Sequence, residues 1–276
     1  MSSSPHPEET QIPAEFALLA LDMEKYSQIP EAMMESTRSD VDDIVTNVLA
    51  DCGLPDPQTL PHSYKDGGDG AILLFPPDVL ARIIDPLLGR LSAALGRYDQ
   101  QRLASSPLVR LRVAVHAGPV TGPELRSGNA LVDVSRLLDS QAVRQALQSA
   151  ADTGSFLAGV LSETAYQRCV HGGYTAELAP LHFAQATARV SDKPGYQALC
   201  HLHVPGMPGA AITPYLSGEP GPGSPGAGAS AEPGPSGAAP SAASASQGGG
   251  IQFHAPLYGA TVGGHIERVR NTYPHR

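Results

Sequence analysis

Apolar residues run unbroken from Phe16 to Leu21 and stop at Asp22, the pattern of a strand buried on both faces that delivers an acid to its end. A second apolar run, Ala71 to Phe75, leaves the turn Gly67-Gly68-Asp69. The glycines supply the positive φ angles of a tight connection, so residues 63–76 read as a hairpin with a carboxylate at the turn's exit. Between these runs, Met33, Met34, Thr37, Val41, Ile44, Val45, Val48 and Leu49 fall near helical spacing, and Gly53 stands where a C-terminal cap belongs; a long amphipathic helix is predicted over Glu31 to Cys52. Val79, Ile83, Leu87, Leu91 and Leu95 predict another from Asp78 to about Arg102, kinked or split at Pro86. LVRLRVAVHAG reads as a strand, and the segment after Gly128, with Leu131, Val134, Leu137, Leu138, Val143 and Leu147 near one face, as a helix. SFLAGVLS is a short strand, Glu163 to Cys169 a short helix, and PLHFAQATARV with YQALCHLHV a closing pair of strands. The order β, α, β, β, α, β, α, β, α, β, β implies an α/β or α+β layer fold, a mixed sheet with helices on one face.

Composition divides the chain. Residues 1–13 are polar and proline-bearing and read as disordered; residues 14–205 hold the folded pattern. A linker follows over 206–250: between Ser217 and Gly250 only Glu219, Glu232 and Gln247 are not Gly, Pro, Ala or Ser, so there is nothing to bury. Residues 251–276 turn apolar and β-prone again. A net charge of -9, without clustered Lys and Arg, argues against a nucleic-acid backbone as partner. Cys52, Cys169 and Cys200 are odd in number and outside metal-ligand spacing, hence expected reduced and mostly buried. With no basic start leading into an apolar core, and no apolar run long enough to span a bilayer, a cytoplasmic chain without membrane partners is expected.

Two residues carry the candidate chemistry. Asp22 and Asp69 sit at strand ends, and two such acids can share a cation. Magnesium takes one or two carboxylates and completes its octahedron with water and phosphate oxygens. His116 ends a strand but has no Ser or Cys nucleophile signature beside it, which favours a structural role. Arg136 falls on the flank of an apolar helix face.

From Phe16 to Val204 the chain resembles the class III adenylate and guanylate cyclase catalytic domain. ALLALDMEKYS matches that family's first metal motif, placing a metal ligand at Asp22. KDGGDGAILLF matches the second, with Lys65 and Asp69. LRVAVHAG matches the strand with His and Gly, and GNALVDVSRLL keeps the Gly and the Arg136-Leu137 pair of the fourth motif. The resemblance implies the nucleotide cyclase fold, related to ferredoxin-like folds, and a head-to-tail homodimer. Each site would take its metal acids from one chain and a base-binding lysine and transition-state arginine from the other. It also implies Mg2+ or Mn2+, ATP or GTP as substrate, and attack of the ribose 3′-hydroxyl on the α-phosphorus to give a 3′,5′-cyclic nucleotide. Val132 stands where the family has a transition-state Asn; Asp133 is adjacent but about 100° out of register on a helix. Lys193 is a second candidate phosphate contact. The hairpin is also similar to that of diguanylate cyclases, but Gly70 and Ala71 replace its Glu and Phe.

IQFHAPLYGATVGGHIERVRNTY, residues 251–273, looks like the glycine-punctuated amyloid signalling motifs of some bacterial effector chains, in which strands of two proteins stack. Three classes therefore stay open: a metal-dependent purine nucleotide cyclase, a nucleotide-binding module with a degenerate pocket, and an effector recruited through this segment by a protein partner.

Overall fold

Strand β1 (Glu15–Met23) lies between two antiparallel neighbours, β3 (Gly70–Phe75) and β4 (Leu111–Pro119). This is the computed structural model of the chain, which describes residues 13–56, 58–59, 64–66, 68–122 and 125–216. The residues from Ala17 to Ala20 have no exposed surface, as an unbroken apolar run must when both faces of its sheet are covered. Beyond β3 lies β2 (Tyr64–Asp66); beyond β4 come β5 (Leu157–Ser162), β7 (Lys193–His203) and β6 (Ala184–Val190). The seven-stranded order is β2-β3-β1-β4-β5-β7-β6, with β4 and β5 parallel and the remaining neighbours antiparallel.

Side-chain alternation along β1 explains how the helices divide. Ala17, Leu19, Leu21 and Met23 pack with α1 (Glu31–Asp51), α2 (Leu80–Ile84) and α3 (Leu87–Gln101), while Leu18 and Ala20 pack with α4 (Asn129–Asp139) and α5 (Gln141–Thr153). The α+β class with a mixed sheet is as the sequence predicts; the helices cover both faces, where the sequence reading set them on one.

Two boundaries are also finer than the apolar spacing showed. At Ser140 the segment after Gly128 breaks into α4 and α5: the Ser140 backbone is extended, its hydroxyl donates to the Leu137 carbonyl (2.7 Å), and it accepts from the Val143 amide. Both pieces face the same core, so the spacing runs on across the break. After α6 (Glu163–Tyr166) and a π-helical turn at Gln167–His171, the chain ends its described course in α7 (Gly209–Leu216), within the stretch assigned to linker. Ile212 is fully buried there, and a Cβ on Gly209 would lie 2.1 Å from the Phe183 carbonyl oxygen, so α7 is seated closely against the domain. All three cysteines are free and buried. Residues 1–12 and 251–273 lie outside the described residues.

Candidate functional site

The register at the end of β1 builds the site. Asp22 is opposite Gly70 on one side and Arg112 on the other. A Cβ at position 70 would fall 2.1 Å from the Leu21 carbonyl oxygen, so only glycine lets β3 approach here. The Met23 amide donates to the carbonyl of Asp69 (3.2 Å) and the Glu24 amide to that of Arg110 (2.9 Å), which ties the hairpin turn to the tip of β1. Asp22 and Asp69 consequently line one small, solvent-open cleft together with Arg38 and Asp42 of α1.

Asp22 is 3% exposed and paired with Arg112, itself 7% exposed, whose Nη2 donates to Asp22 Oδ2. Burial drives the Asp22 carboxyl up to about 6 despite the opposing pull of Arg112, and the neighbouring Asp69 pushes it the same way. Burial also raises Asp139 at the end of α4, against the pull of Arg144 and Arg112, and lowers Arg144. The Arg112 Nε is buried without a hydrogen-bond partner, leaving one donor for a further acceptor.

Arg136 and Lys193, also singled out from sequence, fall elsewhere. Lys65 is on β2, in register with Ile72. Arg136, on α4, stands 5.0 Å over the ring of Tyr196 on β7. Val132 is 44% exposed on the same helix. Lys193 opens β7 in the exposed part of the β6–β7 hairpin and pairs with Asp192 (3.3 Å). Neither Arg136 nor Lys193 lines the cleft. His116 is half-buried with its Nδ1 unpartnered, and burial lowers its pKa. Sequence reading missed Arg112, Asp139, Arg144 and Arg38. For Arg112 a signal existed: a charged residue inside the strand LRVAVHAG needs a buried partner.

The donor set fits a hard divalent cation that brings most of its own ligands. Among the described residues no group of three or more His, Cys, Asp or Glu side chains is placed to cage a metal. Two carboxylates in one open cleft suit magnesium or manganese completed by water and phosphate oxygens. Arg112 already neutralises Asp22, so an ion there competes with or shifts that pair.

No family model matches the chain, and no curated protein matches it by sequence. Solved structures similar to it include a bacterial light-regulated adenylyl cyclase, with 15% identity and a TM-score of 0.48 over 75% of this chain and 58% of that one. The chain thus spans somewhat over half of that protein's length. The adenylate/guanylate cyclase/hydrolase from Silicibacter pomeroyi has 15% identity and a TM-score of 0.47 over 70% of this chain and 98% of its own. The guanylate cyclase domain of RhGC from Catenaria anguillulae, solved in complex with GTP, has 13% identity and a TM-score of 0.44 over 70% and 98%. No helix among the described residues is long and apolar enough to cross a membrane.

Proposed function

We propose that the chain is a class III nucleotidyl cyclase-like signalling domain that binds a purine nucleoside triphosphate with Mg2+ or Mn2+ and turns it over slowly to a 3′,5′-cyclic nucleotide. The observation that carries this reading is the meeting of Asp22 and Asp69 in one cleft at neighbouring strand tips, within motifs that resemble that family. Asp22 and Asp69 hold the ion, which when bound activates the ribose hydroxyl and neutralises phosphate charge. Arg112, whose buried Nε has no partner, donates that N–H to a phosphate oxygen beside the ion. In a homodimer, Arg136 of the second copy stabilises charge on the reacting phosphoryl group, and Lys65 and Lys193 contact base and phosphate.

Turnover is slow because Val132 offers no hydrogen bond where the resemblance calls for an amide. By analogy with loss of an oxyanion-hole donor, this costs on the order of 100- to 1000-fold in rate. The same residue favours the second reading, a nucleotide-binding or effector module without turnover. In it, residues 251–273 recruit a protein partner by strand stacking; a synthetic peptide of that segment then forms thioflavin-binding fibrils, and a peptide that stays monomeric at high concentration removes the recruitment idea.

The deciding assay incubates the purified chain with Mn2+ and each of ATP and GTP, follows product by mass spectrometry, and runs Asp69→Ala alongside. Cyclic product from the wild type that disappears in the variant supports the cyclase; product unchanged in the variant is contamination and eliminates it. Binding of nucleotide without product selects the second reading.

A further inference from the structure

The guanidinium of Arg38 is shared between a helix and the turn that carries Asp69. On α1 its Nε faces both carboxylate oxygens of Asp42, each at 3.0 Å, one turn further along. Its Nη1 donates to the carbonyl of Gly68, 30 residues away in sequence. Asp42 fixes the plane of the fork, and the fork fixes the peptide that leads into Asp69. The Arg38 side chain is only 14% exposed, and Arg38 and Asp42 both line the carboxylate cleft beside Asp69.

Asp69 is therefore held from two sides. Its own carbonyl is bound by the Met23 amide (3.2 Å), a tie made by backbone alone. The preceding carbonyl is bound by Arg38. Gly68 takes the left-handed φ of +87° that the tight turn into Asp69 requires.

We infer that Arg38, oriented by Asp42, is a positioning residue for the metal-binding carboxylate Asp69, setting its reach toward an ion shared with Asp22. The inference rests on the reading of Asp22 and Asp69 as a ligand pair. Arg38 acts through the hairpin and touches neither ion nor nucleotide. As a bare i,i+4 ion pair with Asp42 it would add a little helix stability and leave metal affinity alone; as a positioning group it controls that affinity.

The test is a Mn2+ titration of the full chain, following free Mn2+ by electron paramagnetic resonance well below the melting temperature of each variant. Asp69→Ala is the control for the ligand pair. Arg38→Met is expected to weaken Mn2+ about tenfold, the lower end of what loss of a ligand's supporting partner costs. Asp42→Asn should weaken it in the same direction by less. Arg38→Lys should fail to restore it, because one ammonium cannot reproduce the planar fork. Arg38→Met with a lowered melting temperature but wild-type Mn2+ affinity overturns the inference while Asp69→Ala upholds the ligand pair. Wild-type affinity in Asp69→Ala overturns the ligand pair and the inference with it. Should Arg38→Met not fold, Asp42→Asn and Arg38→Lys decide, and wild-type affinity in both overturns the role.

Discussion

Burial and Arg112 pull on Asp22 in opposite directions, and burial wins: its pKa rises from 3.8 to about 6. The charged groups facing it are Arg112 from β4, Asp69 from the hairpin turn and Asp139 from α4. A carboxyl whose pKa is raised on folding holds its proton more tightly in the native state than in the unfolded chain. Its contribution to stability is therefore greatest at low pH and is lost as pH rises through the interval between the two values. The metal-free wild type is expected to lose stability from about pH 4 to about pH 6 relative to Asp22→Asn, which has no proton to lose. Near pH 4 the two should be of similar stability, since the protonated carboxyl and the amide each set a neutral polar group beside Arg112. With Asp22 a metal ligand as proposed, saturating Mn2+ should reverse the wild-type trend, because an ion binds the ionised carboxylate. Urea unfolding at half-unit pH steps reads all three curves; parallel curves for wild type and variant would show that Asp22 does not titrate in this window.

Between elements, the contact to isolate is the one joining α4 to β7. Arg136 lies 5.0 Å over the Tyr196 ring, and burial, with Asp133 nearby, pushes the Tyr196 hydroxyl up to about 12, so the ring stays neutral and its face attracts the cation. A double-mutant cycle of Arg136→Gln and Tyr196→Leu should give a coupling of about 0.5–1 kcal/mol in denaturant unfolding. Tyr196→Phe should retain most of it, since the ring face remains; strict additivity in the cycle would mean the stacking contributes nothing. This contact was not legible in the sequence, because 60 residues separate its partners and nothing in either segment names the other. β1 and β3 were legible, because a strand buried on both faces has a continuous apolar run as its signature. The break at Ser140 was hidden because both helices bury the same side and their spacing continues. α7 was hidden because its eight residues include Pro214 and begin at a glycine, next to a stretch made almost wholly of Gly, Pro, Ala and Ser. At the site the two acids were legible as strand-end residues, whereas the Arg38 tie depends on a turn in space.

For the molecule as a whole, one protomer gathers the two carboxylates but not Arg136, which is absent from the cleft and stacked on β7 instead. If turnover occurs in a head-to-tail pair, each site draws Asp69 from one copy and Arg136 from the other, so the two residues are separable by subunit. Asp69→Ala and Arg136→Ala should each be inactive alone. Mixed in equal amounts and allowed to exchange, half of the dimers are mixed, and each has one intact site out of two, which returns roughly a quarter of the wild-type rate. The measurement is cyclic nucleotide by mass spectrometry at fixed total chain concentration, with dimerisation followed by size exclusion. A site complete within one protomer predicts no recovery on mixing, because every chain in the mixture carries one defect. Recovery near a quarter assigns the acids and the arginine to different subunits, and a mixture no more active than its parents refutes that division.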